Sequence, residues 1–181
     1  QNGFTVTGES AAASPENFDQ EIGRKIASRV AAFETEVGYF SRTKYDLPYQ
    51  YLPSLEALAD WCSVLVIAVR AGADNVNVID ADILRRLGGD GHVVNISRGS
   101  VIDEKALVAA LTDGTIAGAG LDVFAQEPHA PDALTALPNV VLSPHLGGHT
   151  LESHVAMQDC VLANLDAFFA GTPLPYKVSG T

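Results

Sequence analysis

The sequence predicts an α/β protein built on a doubly wound parallel sheet. Short apolar runs alternate with segments of helical periodicity along most of its 181 residues. The runs are nearly continuous in apolar residues, which is typical of strands buried on both faces, as in a parallel sheet. Most of the connections are short enough for right-handed crossovers. We therefore expect helices to cover both faces of the sheet.

Five apolar runs predict the strands: Glu36–Phe40, Ser63–Val69, His92–Ile96, Ala117–Val123 and Val140–Leu142. Residues 1–19 differ from the rest of the chain because they are rich in Ser, Ala, Gly and Asn. Phe4–Thr7 could form a strand, but the stretch as a whole is typical of a loop. We therefore expect the strand that precedes the first helix to be missing.

Helical spacing of apolar residues indicates the helices, of which the first contains Ile22, Ile26, Val30 and Phe33. Asp103 is a suitable N-cap for the fourth helix, and Gly114 is a suitable stop after it. The predicted helices are Gln20–Phe33, Pro53–Trp61, Ala81–Leu87, Glu104–Leu111 and Leu151–Phe169.

The composition limits the partners and the cellular compartment that we expect for the protein. The formal net charge is -11, from 22 acidic and 11 basic residues, so the surface repels nucleic acid and anionic membranes. No apolar run reaches the roughly 20 residues that a membrane span needs, and the N-terminus has no signal-peptide pattern, so we expect a cytoplasmic protein. Cys62 and Cys160 lack the spacing of a metal site, and we interpret both as buried small hydrophobes rather than as disulfide or zinc ligands.

Three segments carry a resemblance to a known family: Val93–Glu104 (VVNISRGSVIDE), Ala117–Pro128 (AGAGLDVFAQEP) and Val140–Thr150 (VVLSPHLGGHT). Together, in this order and at this spacing, they resemble the D-isomer-specific 2-hydroxyacid dehydrogenases, most closely the glyoxylate/hydroxypyruvate reductase branch. The resemblance implies a Rossmann-type dinucleotide-binding domain and a catalytic set of Arg98, Glu127 and His145. It also implies that Asp122 approaches the nicotinamide carboxamide.

The positions of these residues agree with that chemistry. Ligands of an open α/β sheet bind beyond the carboxyl ends of the strands, and Arg98 and His145 each follow a predicted strand. A guanidinium can bind a substrate carboxylate, and an imidazole titrates in the right range to donate the proton. Glu127 would fix the imidazole tautomer and favour its charged form. Taken singly, the three residues could be a surface ion pair, a structural histidine and a solvated acid; their joint spacing favours catalysis.

The end of the second strand indicates the nucleotide. NAD enzymes place an acid there for the ribose hydroxyls, whereas this sequence continues as Ser41-Arg42-Thr43-Lys44. Hydroxyls and two cations suit a 2′-phosphate, so we expect NADP, with NAD as the alternative. The expected cofactor-binding residues are Ile22, Gly23, Ser41, Arg42, Thr43, Val69, Ile96, Ser97, Arg98, Asp122, His145 and Gly147.

The glycine fingerprint of dinucleotide-binding domains is altered in this chain. Only its last glycine, Gly23, is recognisable, and Phe18 and Gln20 stand at the first two glycine positions. Side chains there should obstruct the tight turn and the approach to the pyrophosphate. A rearranged loop that still binds phosphate, altered residue identities before Gly23, and a domain that has lost tight cofactor binding all fit this pattern.

The predicted organisation has three parts. They are an atypical N-terminal segment (1–22), a dinucleotide-binding domain (23–150), and a C-terminal helix and tail (151–181) leading back to a substrate domain that this chain does not contain. Because two domains normally close over the substrate, we expect the chain alone to turn over poorly. A phosphoglycerate or lactate dehydrogenase and a non-catalytic nucleotide sensor remain as alternatives. The resemblance also implies a homodimer.

Overall fold

One parallel sheet organises the part of the chain that the structure describes. The structure is a computed structural model, and it describes residues 3–9, 25, 26, 28–69 and 72–177. All neighbouring strands pair in parallel, in the order β3-β2-β1-β4-β5-β6-β7, which confirms the predicted fold class. The strands are β1 Gly3–Glu9, β2 Glu36–Phe40, β3 Gln50–Tyr51, β4 Val64–Val69, β5 His92–Asn95, β6 Gly118–Leu121 and β7 Val140–Leu142.

Strand β1 corrects the expectation that the first strand is missing. It lies inside the sheet, where Val6 pairs with Tyr39 of β2 and with Val66 of β4. The expectation was wrong because the β-branched and aromatic residues of Phe4–Thr7 favour a strand, and pairing on both sides outweighs the loop-like composition around them. The predicted segment boundary at residue 22 is therefore not a boundary of the sheet.

The strand order reverses between β1 and β4. From β1 the chain proceeds to β2 and β3 on one side, and from β4 it proceeds to β5, β6 and β7 on the other. Such a reversal opens a crevice at the carboxyl ends of the two central strands, which is where open α/β sheets bind ligands. The predicted bounds of β2 and β7 are the observed ones, and the other predicted strand ends differ by at most two residues. The two-residue strand β3 was too short to predict.

The helices are α1 Leu55–Trp61, α2 Ala81–Leu87, α3 Glu104–Thr112, α4 Asp132–Thr135 and α5 Leu151–Phe169. Asp103 caps α3 as predicted, since its side chain accepts hydrogen bonds from the N–H groups of Lys105 and Ala106. Gly114 follows α3 with a φ of 78°, a conformation that favours glycine after a helix. Residues 25, 26 and 28–31 are helical; the start of the predicted helix Gln20–Phe33 lies outside the described residues.

Both faces of the central strand β4 are covered. Leu65 and Ile67 of β4 point into the main core beneath α1, α2 and α3, and neither is exposed. The alternating residues Val66 and Ala68 pack on the opposite face against Ile26 and Val30 of the first helical segment. Alternation along β4 thus produces the two apolar faces that a doubly wound sheet requires.

Helix α5 differs from helices α1 to α4, because none of its side chains is buried within the described part of the protein. Cys160 is consequently only half-buried, so its interpretation as a buried hydrophobe was wrong, whereas Cys62 is buried as expected. No helix among the described residues is both long and apolar enough to span a bilayer. The exposed apolar side chains of helix α5 include Leu151, Val155, Met157, Val161, Leu162, Leu165, Phe168 and Phe169.

Candidate active site

Three neighbouring strands deliver the polar residues of the candidate site to one edge of the sheet. Arg98 comes shortly after β5, Asp122 directly after β6, and His145 shortly after β7. Because β5, β6 and β7 are adjacent and parallel, their carboxyl ends lie side by side, and so do the residues that follow them.

Glu127 and His145 form a hydrogen-bonded pair at this edge. His145 Nδ1–H donates to Glu127 Oε2 at 2.8 Å, with the side chains 40% and 33% exposed. The hydrogen bond from His145, followed by one from the Phe124 N–H, holds the pKa of Glu127 below its ordinary value. An ionised Glu127 therefore fixes Nδ1 as the protonated nitrogen and leaves Nε2 as the ring nitrogen available to a substrate.

The turn that carries His145 is held by Asp122, which is buried. Asp122 Oδ1 accepts the Leu146 N–H at 2.8 Å and also the Ser143 hydroxyl, and Oδ2 accepts the Gly147 N–H at 2.7 Å. His145, between these donors, has a φ of 55°, which residues with a side chain rarely adopt. The carboxylate thus compensates the strain of the turn and places the imidazole.

The environment of Asp122 favours its charged form. Burial alone would raise the pKa of Asp122, but hydrogen bonds from Ser143, Gly147 and Leu146 outweigh it, and the pKa lies below its ordinary value. A group with a lowered folded-state pKa stabilises the fold above its unfolded-state pKa, and that contribution is lost as the pH falls through the folded-state pKa.

We expect Asp122→Asn to reduce the free energy of unfolding by about 2–3 kcal/mol at neutral pH, because an amide cannot accept both sets of hydrogen bonds. The difference from the wild type should be complete above about pH 4, near the unfolded-state pKa, and should shrink at lower pH. Urea denaturation between pH 2.5 and 7 measures this difference. A difference that does not change with pH would contradict a charged Asp122.

Asn95 organises the turn that carries Arg98. Asn95, at the end of β5, is buried; its Oδ1 accepts the N–H and the hydroxyl of Ser97, and its Nδ2 donates to the Arg98 carbonyl at 3.0 Å. Arg98 is an exposed residue, and its guanidinium donates to the Ser97 carbonyl at 2.6 Å, which leaves further donors for a ligand. Its positive charge contributes to the lowered pKa of Glu127, so the two charges share one electrostatic environment.

A cavity of about 240 Å³ opens at the ends of β2 and β4, next to the reversal of strand order. Its lining is mostly apolar, which suits a flat aromatic base, and Ser41 and Arg42 supply polar groups at one side. Arg42 Nη1 lies 3.5 Å from Asp74 Oδ2. The lining residues are Phe40, Ser41, Arg42, Leu55, Ile67, Val69, Asp74, Asn75, Val78, Ile79 and Val101.

Ser41 and Lys44 of the predicted nucleotide turn contact neighbouring residues of this chain. Ser41 Oγ donates to the Thr43 carbonyl at 2.5 Å, so the Ser41 hydroxyl stabilises the turn itself. Lys44, which we expected to help bind a phosphate, lies with its ammonium 5.7 Å from the centre of the Tyr51 ring. Arg42 is therefore the cation of this turn that lines the cavity.

The remaining predicted cofactor residues differ in accessibility. Ile96 is exposed, whereas the Ser97 side chain is buried and bonded to Asn95. Gly147 lies against Asp122, and a Cβ there would be 2.9 Å from Asp122 Oδ2. Ile22 and Gly23, like Phe18 and Gln20 of the altered fingerprint, lie outside the described residues.

Sequence reasoning missed three residues that shape this edge. Asn95 and Ser143 hold the turns of Arg98 and His145, and Asp74 lines the cavity beside Arg42. A polar residue at the carboxyl end of an apolar strand, as in HVVN and VVLS, was the available signal for the first two. The position of Asp74 had no such signal, because it depends on the meeting of two chain segments.

The chain matches a known protein family over most of its length. Residues 20–147 match the family model described as D-isomer specific 2-hydroxyacid dehydrogenase, NAD binding domain. A 2-ketogluconate reductase of Gluconobacter oxydans is 47% identical over 154 residues, or 84% of this chain and 50% of the relative. For a glyoxylate/hydroxypyruvate reductase A of Arabidopsis thaliana the identity is 44%, over 84% of this chain and 49% of the relative.

Among solved structures, this chain is similar to the NADPH-dependent glyoxylate/hydroxypyruvate reductase of Sinorhizobium meliloti crystallised with NADP and malonate. The TM-score is 0.87 at 37% identity, covering 99% of this chain and 54% of that chain. The chain spans about half the length of the curated relatives it matches.

Proposed function

The chain belongs to the D-isomer-specific 2-hydroxyacid dehydrogenase family of oxidoreductases, and from this premise we propose that the protein carrying it reduces glyoxylate or hydroxypyruvate to the D-2-hydroxy acid with NADPH. The observation that carries the proposal is the Glu127–His145 pair, held at 2.8 Å on the edge where Arg98 also lies. A 2-oxo acid needs a proton for its carbonyl oxygen and a cation for its carboxylate, and these residues can supply both.

Each of the three residues has a distinct part in the proposed reaction. The nicotinamide cofactor, when bound, supplies the hydride. Arg98 binds the substrate carboxylate through its guanidinium donors and polarises the neighbouring carbonyl. His145 holds a proton on Nε2 and donates it to the carbonyl oxygen, while Glu127 accepts the hydrogen bond from Nδ1 and orients the ring.

The proposed nucleotide preference rests on the cavity at the ends of β2 and β4. Its apolar lining suits the adenine ring, and Arg42 at its side suits a 2′-phosphate. The turn Ser41–Lys44 has no acid that would take the ribose hydroxyls. The similar reductase of Sinorhizobium meliloti was crystallised with NADP, which favours the same preference here.

We expect Arg42→Ala to weaken NADPH binding by about 1.5–3 kcal/mol, since a charge-assisted hydrogen bond is lost, or roughly tenfold to a hundredfold in dissociation constant. NADH, which lacks the 2′-phosphate, should bind almost as before. Fluorescence titration with the two nucleotides measures both values. Arg85→Ala is the matched control, because Arg85 is an exposed arginine in the last turn of α2. An unchanged ratio of the two dissociation constants would contradict the NADP preference.

The catalytic proposal is tested by following the absorbance of NADPH with glyoxylate, hydroxypyruvate, pyruvate and phosphohydroxypyruvate as substrates. Fastest turnover with either of the first two supports the proposal. A preference for pyruvate or for the phosphorylated substrate would assign the protein to a lactate or phosphoglycerate type instead. Saturable nucleotide binding without turnover of any of them would favour a non-catalytic sensor.

The domain organisation and the assembly of the whole protein are also part of what we propose. Since the chain spans about half of its relatives, we propose that the other half forms a substrate domain that closes over Arg98 and His145 and excludes water. Residues 23–150, with β1, would form the nucleotide-binding domain, and 151–181 would lead back to the substrate domain. We further propose a cytoplasmic homodimer, on the resemblance to the family.

A further inference from the structure

We propose that Asp74 is a selectivity residue that weakens the preference of the nucleotide cavity for a 2′-phosphate; this rests on the proposed occupation of that cavity by a nicotinamide dinucleotide. Asp74 belongs to the short 3-10 helix Ala73–Asn75, which lies a few residues beyond the end of β4. Both Asp74 and Arg42 line the cavity. The carboxylate therefore stands at the same side of the cavity as the guanidinium expected to bind the phosphate.

The pair between the two residues is loose. The distance of 3.5 Å from Arg42 Nη1 to Asp74 Oδ2 is longer than the roughly 2.7–2.9 Å of a direct charge-assisted hydrogen bond. The side chains are 63% and 82% exposed, so water screens their attraction. A ligand anion that makes two direct hydrogen bonds to the guanidinium can therefore displace the carboxylate.

A phosphate that displaces the Asp74 carboxylate from Arg42 leaves the negative charge of Asp74 close to the site. Asp74 stays beside the cavity because it belongs to the short helix Ala73–Asn75, whose turn is closed by the hydrogen bond from the Asn75 N–H to the Gly72 carbonyl at 3.0 Å. A 2′-phosphate carries a charge of about -1.5 to -2 at neutral pH, and at Arg42 it would lie within a few ångströms of this carboxylate. The repulsion opposes NADPH and does not act on NADH, which has a neutral hydroxyl at that position.

The same carboxylate can favour NADH. A carboxylate accepts hydrogen bonds from hydroxyl groups, and an acid near the adenosine ribose is the usual device of NAD-binding domains. In this chain the acid comes from the segment after β4 instead of from the end of β2. Arg42 and Asp74 therefore act in opposite directions, and the cavity accepts both nucleotides with a moderate preference.

The test is Asp74→Asn in the protein that carries this chain, with NADPH and NADH titrated separately by fluorescence. We expect the dissociation constant for NADPH to fall roughly fivefold to tenfold, which corresponds to removing one exposed like charge at about 4 Å from a phosphate. NADH should bind equally well or up to about threefold more weakly. The gain for NADPH should shrink at 0.5 M salt, because the repulsion is screened.

The matched control is Asp90→Asn, which removes the same charge from an exposed turn before β5, at the amino edge of the sheet. An equal gain for both nucleotides, or a gain no larger than that of Asp90→Asn, would overturn the role of Asp74. The Arg42→Ala variant distinguishes a failure of this inference from a failure of the proposed function. If Arg42→Ala weakens NADPH selectively and Asp74→Asn changes nothing, only the inference fails; if neither nucleotide binds at all, the proposed function fails with it.

Discussion

The substitution His145→Gln is expected to reduce kcat by about 100- to 10,000-fold, the range by which a positioned proton donor accelerates a reaction. Glutamine can keep a hydrogen bond to Glu127 Oε2 but has no titrating nitrogen with which to donate a proton. Because Asp122 holds the turn through the backbone of Leu146 and Gly147, the turn itself should persist. The dissociation constant for NADPH should therefore change by less than about threefold.

Steady-state kinetics and nucleotide titration, carried out on the same preparation, check this expectation. His154→Gln is the matched control, since His154 is an exposed histidine of α5 whose ring lies 5.4 Å from that of His149. It should leave kcat within about twofold. A loss of nucleotide affinity as large as the loss of kcat would mean that His145 serves cofactor binding rather than proton transfer.

Gly99→Ala is expected to give the largest loss of stability, about 4 kcal/mol or more. Gly99 is buried directly after Arg98 and packs against the backbone of the segment that leads to Glu127. A Cβ at this position would overlap the carbonyl group of Phe124 and the amide nitrogen of Ala125. Backbone atoms cannot rotate away as a side-chain end can, so one of the two segments must shift.

Urea denaturation at neutral pH measures the loss, and Gly148→Ala is its control, because a Cβ at Gly148 would meet nothing within 4 Å. The control should alter the free energy of unfolding by no more than about 0.5 kcal/mol. Any Gly99→Ala protein that folds should also lose turnover, since the shift changes the distance between Arg98 and Glu127. Wild-type stability in the variant would show that this close backbone approach is wrong.

Much of the architecture could be predicted from periodicity. Val64–Val69 is a continuous apolar run, which is the pattern of a strand buried on both faces, and a single sequence shows that pattern directly. Helix α3 was predictable to within one residue because Asp103 caps it. Strand β1 was missed because its short β-branched run stands among loop-like residues, and its neighbours in the sheet come from distant parts of the chain.

The candidate site was predictable as a set of residues but not as a set of contacts. The pairing of Glu127 with His145 could be expected from their assigned roles. The bonds from Asp122 to Leu146 and Gly147, by contrast, join residues 24 and 25 positions apart, and they exist because β6 and β7 end side by side. The same holds for Arg42 and Asp74. They follow β2 and β4, which are distant in the sequence but lie on either side of β1 in the sheet.

The order of the strands also decides how variants of this protein will combine. From β2, which leads to Arg42, to β7, which leads to His145, the sheet has five inter-strand steps, or about 24 Å. Free-energy changes at sites so far apart are normally additive. Cofactor choice can therefore be engineered at one end of the sheet while turnover is tuned at the other, and the effect of a combined variant should equal the sum of the single ones.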